Sequence, residues 1–295
     1  MPNQSVCRRT FLAAAAAAGV GLRTAGAAQE PTVNTIPGTD IPLVDFHVHL
    51  DNFTLEKALE VSRARGVTFG IVEHAGTREN IYPVVLSNDE ELRRHIAMLD
   101  GKGVYKGVQT EWVDWASCFS KEAIAQLDYV LTDAMTFPGK DGRRVKLWER
   151  DAPDRVEMSN RDAFMDRYVE WYVEIMARQP IDIMANASWL PAPLAPDWEA
   201  FWTPARVRKV LDAALKCNVA IEISSSLRLP KLSFLRQAKE AGVRFSFGSN
   251  LRGERMGTLD YCIEMTRQLG LERKHMFAPA PQGKKPVQVR TLSAE

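Results

Sequence analysis

The sequence lacks an excess of charge of either sign: 38 Lys and Arg against 37 Asp and Glu leave a net charge of +1 over 295 residues. Without a basic stripe there is no electrostatic footprint for a nucleic-acid partner, and that class is excluded. It also lacks an apolar run of the roughly 20 residues needed to cross a bilayer; the alanine-rich stretch 13–20 is too short. Cysteine is scarce and unpatterned. Cys7, Cys118, Cys217 and Cys262 form no CxxC pair, which removes zinc ribbons and dithiol redox motifs and leaves open one disulfide plus a free thiol, or packing cysteines alone. Low-complexity tracts are absent beyond the first thirty residues, so a folded chain is expected there. Histidine is rare too, with five residues.

What is present begins with Arg8-Arg9-Thr10-Phe11-Leu12, an apolar stretch, and small residues at Ala25-Gly26-Ala27. This resembles a twin-arginine export signal, with an ordinary secretory signal carrying an accidental Arg pair as the alternative. The expected organisation is a signal at 1–28, an extended lead-in at 29–42, one catalytic-type barrel at 43–272 and an extended surface tail at 273–295. The mature protein would be periplasmic or secreted, with no stable membrane span.

Short apolar runs then alternate with segments of helical spacing. Seven runs read as buried parallel strands, at 43–49, 67–74, 104–111, 129–133, 181–186, 219–224 and 244–249. Helices are expected at 55–65, 89–99, 121–126, 162–178, 204–216, 232–241 and 257–269. Thr203-Pro204 supplies an N-cap and a first-turn proline, and Gly66, Gly103 and Gly242 stand where left-handed caps are wanted. Repeated right-handed βα units wind one way, which predicts an α/β fold, a distorted (β/α)7 barrel of parallel strands, TIM-barrel-like. A doubly wound open sheet is the fallback.

The first strand carries His47 and His49 at i and i+2. In a strand these share a face, close enough for both imidazoles to reach one ion. Two readings stand: a metal pair, or strand-end histidines satisfied by backbone groups. Other strand ends add Glu73-His74, Glu111, Asp133, Asn186 and Ser249-Asn250, which at a barrel mouth are potential ligands and individually are also ordinary helix N-caps.

The order of these motifs, from His47-Val48-His49 through Ile71-Val72-Glu73-His74, Glu111, Glu222-Ile223-Ser224 and Phe245-Ser246-Phe247-Gly248-Ser249 to Met256-Gly257, resembles the polymerase-and-histidinol-phosphatase (PHP) family of metal-dependent phosphoesterases. The resemblance implies that His47 and His49 are first-site ligands, Glu111 a bridging carboxylate and His74 a ligand of a further ion. It also marks departures: Met135, Asn186, Asn250 and Arg252 stand where the family has ligands, and Asp51 could substitute for one displaced after His49. The implied cofactor is a single divalent ion (Zn, Mn or Fe) on His47, His49 and Glu111, completed by Asn250 or water. A permanently charged Arg252 excludes a further ion and either binds an anionic substrate group or pairs with Glu73 or Glu254.

On this reading the protein is an exported metal-dependent hydrolase, phosphoesterase-like, with Asp133 as general base, His74 and Glu73 as further acid–base groups, and a small-molecule, possibly anionic, substrate. The alternative is an inactive PHP-like barrel that binds a small molecule or carbohydrate. Asn186, Arg252, Lys140 and Arg143 are the expected substrate contacts. The loop 188–202, with Trp189, Trp198 and Trp202, either stacks on ligand or covers the barrel end. His95 lies on a polar helix and is expected to be structural or exposed.

Overall fold

The computed structural model describes residues 33–280, 284, 285 and 287; the export signal read at 1–28 lies outside them, as does part of the tail expected at 273–295. Seven parallel strands follow one another in chain order: β1 (Val44–Val48), β2 (Thr68–Ala75), β3 (Tyr105–Thr110), β4 (Tyr129–Thr132), β5 (Ile183–Met184), β6 (Ala220–Ser224) and β7 (Phe245–Gly248). Helices α1 (Leu55–Arg65), α2 (Asp89–Leu99), α3 (Arg161–Arg178), α4 (Pro204–Cys217), α5 (Leu232–Ala241) and α6 (Asp260–Leu269) alternate with them, and a single turn, Lys121–Ile124, serves between β3 and β4. The result is a nearly closed parallel α/β barrel of the TIM-barrel-like kind, as the alternating pattern implies.

Local chemistry sets these boundaries. Thr203 caps α4 by accepting from the Arg206 amide, with Pro204 in the first turn. Gly66 and Gly242 end α1 and α5 in the left-handed conformation. The last helix starts at Asp260 rather than 257 because Gly257 is held elsewhere: its amide donates to Asp45 Oδ2 at 3.0 Å.

Closure between β7 and β1 is made by a side chain. Asp45 is fully buried and accepts from the amides of His47 (3.1 Å), Ser249 (2.8 Å) and Gly257 (3.0 Å), and the Asn250 amide reaches the His47 carbonyl at 3.0 Å. Burial raises the Asp45 carboxyl above the ordinary carboxylate range, against the pull of these hydrogen bonds.

β1 carries an irregularity. Asp45 lies opposite Phe69 and Val48 opposite Ile71, so Phe46 and His47 together face one residue of β2. A bulge of this kind re-aims side chains, which is why Phe46 joins the cluster at the barrel floor while His47, its neighbour, bonds to Gln109 and Glu222 at the mouth. Tyr129 secures the bulge, its hydroxyl donating to the Phe46 carbonyl at 2.8 Å.

The floor holds Phe46, Tyr129, Leu131 and Ile183. Phe277, from the segment expected as surface tail, packs edge-on against Phe46 with ring centroids 5.4 Å apart, and its amide donates to the Phe245 carbonyl. The lead-in is also anchored: Ile36 and Ile41 are fully buried around a bridge between Thr35 and Pro42. Cys118, Cys217 and Cys262 are all thiols, and none is in a disulfide. No helix among the described residues is long and apolar enough to cross a membrane.

His95, on α2, is buried and its Nε2 donates to the Gly107 carbonyl at 3.1 Å, so it is a packing element. Burial pushes its pKa from 6.5 to about 4. The unfolded side chain protonates first, so the contribution of His95 is complete above pH 6.5 and is lost as pH falls toward 4. The full loss amounts to about 3 kcal/mol. Chemical denaturation of wild type and His95→Gln at pH 7 and pH 4.5 should show a smaller acid-induced loss in the variant; parallel losses would remove His95 as the cause.

Candidate functional site

The C-terminal ends of the strands gather a buried polar network. Gln109 on β3 stands at its centre: its Oε1 lies 3.0 Å from His47 Nε2 and 2.8 Å from His49 Nε2, and its Nε2 donates to Asp133 Oδ2 at 3.3 Å. Because Asp133 accepts, the Gln109 amide is oriented with its oxygen toward both imidazoles, and each therefore donates from Nε2. His47 Nδ1 meets Glu222 Oε2 at 2.7 Å. Burial opposes a charge on His47, yet Glu222 outweighs it and holds the imidazole above its ordinary pKa. Gly248 makes room for this pair, since a Cβ there would stand 2.5 Å from the Glu222 carboxyl.

His49 behaves oppositely. Burial, reinforced by His74, His47 and Arg252, holds its pKa well below the ordinary value, so the ring is neutral. With its one N–H given to Gln109, Nδ1 carries a lone pair that has no hydrogen-bond partner; Asp51 Oδ1 and Glu73 Oε2 are also buried and unpartnered. Ligand atoms of these three residues lie within 4.8 Å of one another, the one such group among the described residues. Buried polar atoms without partners beside such a group mark a candidate cation site. Burial, then the nearby Asp51, raises Glu73 to about 8.

The acid–base groups sit beside this cluster. His74 Nδ1 bonds to Glu111 Oε1, and the His74 ring stacks on His49 on one side (4.5 Å) and on Tyr82 on the other (3.6 Å). Asp133 is raised to about 6 by burial and then by Glu111, against hydrogen bonds from Met135 and Asn186.

The structure thus brings His47, His49, His74, Glu111, Asp133, Asn186, Asn250 and Arg252 to one mouth, with different partners from those expected. Glu111 bonds to His74, and the carboxylates beside His49 are Asp51 and Glu73. Asn250 and Asn186 take left-handed backbone positions (φ 49° each), as does Asp51, a conformation short polar side chains tolerate; their identity has a backbone reason. The Asn250 amide lies between Asn186 (3.4 Å) and Arg252 (2.5 Å). Arg252 pairs with Asp51 Oδ2 at 2.9 Å, not with Glu73 or Glu254, leaving Asp51 Oδ1 for the cluster. Lys140 and Arg143 turn to the Asp154 carbonyl and the Asp141 carboxylate. Trp198 and Trp202 are buried, with Trp202 against Tyr168 and Tyr172 of α3 and Phe234 of α5, so these two rings serve packing.

From the sequence, Gln109 and Glu222 stood at strand ends without an assigned role, and Tyr82 was not singled out. Gln109 shares the inward parity of Gly107 and Glu111, a signal that was available; Tyr82, in an irregular loop, offered none. That loop is tied down by a hairpin, Thr136–Pro138 with Arg144–Lys146. Arg144 donates to Asn80 (2.8 Å) and Thr77 (3.0 Å) and pairs with Glu79, and Lys146 lies 3.9 Å from the Tyr82 ring centroid.

No family model matches the chain, and no curated protein matches it. Solved structures that do match include an HpcH/HpaI aldolase from Desulfitobacterium hafniense DCB-2 (13% identity, 81% of this chain, 95% of that chain, TM-score 0.36), and an HpcH/Hpal aldolase/citrate lyase family protein from Burkholderia cenocepacia J2315 (16%, 77%, 92%, TM-score 0.34). The PHP resemblance is corrected by these findings, since no family model supports it and these neighbours bear another family's name. The phosphoesterase-like hydrolase, and the inactive PHP-like binding barrel beside it, fall with the resemblance. In physical terms, the His47 and Glu111 atoms assigned to an ion are taken up by Glu222, Gln109 and His74. Likeness at this level gives the chain no activity.

Removing the Arg144 clamp should loosen the roof alone. In Arg144→Ala, hydrogen exchange at residues 77–82 should quicken while β2 and β3 keep their protection; uniform quickening would mean the hairpin supports the whole barrel.

Proposed function

We propose that the chain is a divalent-metal-dependent enzyme acting by proton transfer on a small oxygen-bearing acid, with the ion on His49 Nδ1, Asp51 Oδ1 and Glu73 Oε2. One observation carries the reading: His49, Asp51 and Glu73 offer ligand atoms within 4.8 Å of one another, and each of the three also holds a buried polar atom without a hydrogen-bond partner. One imidazole and two carboxylates suit manganese, iron or zinc and leave coordination positions open. Such an ion, when bound, polarises an oxygen of the substrate and acidifies a neighbouring proton.

The chain's own groups would do the rest. The His74–Glu111 pair, stacked beside His49, has the geometry of an oriented base, with Glu111 fixing the ring and stabilising it once protonated. Asp133, at about 6, is suited to return a proton near neutral pH. Gln109 holds His49 in the tautomer that presents Nδ1. Together these favour removal of a proton next to a metal-held carbonyl or hydroxyl, the step shared by lyase and isomerase chemistry. The work would be extracytoplasmic if residues 1–28 act as the export signal they resemble.

Metal analysis of chelator-free protein tests the ligand set. We expect a single ion per chain, with affinity reduced at least about 10-fold in His49→Ala and Glu73→Gln and kept in Glu111→Gln; loss in Glu111→Gln alone would return the ion to Glu111. Incubation of the loaded protein with small hydroxy and oxo acids in D2O should exchange a carbon-bound proton, visible by NMR and lost in His74→Asn. Retained exchange in that variant would exclude His74 as the base.

A further inference from the structure

A groove of about 990 Å³ opens between α1 and α2, outside the barrel. Its lining includes Asp51 and Glu73, two carboxylates of the proposed ion site that each hold an unpartnered buried oxygen. Glu73 is 4% exposed, so its carboxyl meets the outside only through this groove or the mouth. The rest of the lining sets apolar Phe53, Leu55, Pro83, Val84 and Met98 beside charged Glu56, Arg78, Glu91, Arg94 and Lys102. One wall is rigid: Val85 and Leu86 pair with His74 and Ala75, extending the strand that carries Glu73.

The other approach to the ion is roofed. Tyr82 covers His74, and Lys146 covers Tyr82, while Gln109 fills the barrel side of His49. We infer that the groove is the substrate's berth. The ligand is an amphipathic acid whose oxygen head binds the ion between Asp51 and Glu73, next to His74, and whose apolar body lies along Phe53, Val84 and Met98. This rests on the metal reading above and adds the substrate class. Burial of the body supplies affinity in proportion to the apolar area removed from water, and the head alone supplies orientation. A strictly polar acid would leave the apolar wall wet.

The experiment uses the cobalt-loaded protein, whose visible absorption reports both metal uptake and head-group binding, with acetohydroxamate and octanohydroxamate as probes. We expect octanohydroxamate to bind on the order of 100-fold more tightly, as burial of half its added methylenes implies. In Ala97→Trp, which fills the groove from α2, that preference should disappear while cobalt uptake and acetohydroxamate affinity stay unchanged. Equal affinity of the two probes in wild type, or an unchanged preference in Ala97→Trp, overturns the groove and leaves the metal site standing. Absence of cobalt uptake overturns the metal reading, and the berth with it. Tighter binding of octylamine to the metal-free protein than of octanohydroxamate to the cobalt form would assign the groove to a cationic head on Glu73, and so also overturn the inference.

Discussion

The barrel depends on one buried carboxylate. Between β7 and β1 the ring of strands is completed through Asp45, which gathers the amides of His47, Ser249 and Gly257 onto a single side chain. A carboxylate can accept several N–H groups from directions that no strand could supply together. It therefore closes the ring where β1 departs from regular pairing. The same contact sets the local path that turns His47 and His49 into the mouth and fixes where the last helix begins. Replacing it by an apolar residue would leave three buried donors without partners, a loss no repacking could offset.

Two histidines two positions apart, one near the end of β1 and one just past it, are in different electrical states. His47 is drawn toward the charged form by Glu222, while His49, equally buried, is held neutral. The difference comes from the neighbours: burial opposes the charge on both rings, but His47 is hydrogen-bonded to the Glu222 carboxylate while His49 has His74, His47 and Arg252 around it. A single amide oxygen, that of Gln109, reads both rings and settles their tautomers. The mouth thus sets an imidazole drawn toward its charged form beside one held neutral.

Strand and helix positions were legible because the relevant signals are local: apolar runs, caps and left-handed glycines. Seven strands and the order of the helices follow from them. The site was legible only as a set of residue types near strand ends. Which carboxylate meets which imidazole depends on the bulge at Phe46 and His47 and on partners more than a hundred residues away, such as Glu222, and no spacing rule carries that. Asn186 and Asn250 were misleading for a definite reason, since a left-handed turn after a strand selects the same short polar side chains that a ligand position would. Asp51 and Glu73 were visible as acids, but their convergence on His49 required the fold.

Phe277 has a consequence for how the chain is made. The ring that seals the barrel floor against Phe46 belongs to a residue that follows every described strand and long helix. A chain emerging from the ribosome N-terminus first can assemble these strands and helices in order, yet its interior stays open at the bottom until the segment beyond α6 arrives. Completion of the barrel therefore waits for that segment, and a chain that stopped after α6 would carry an uncorked core.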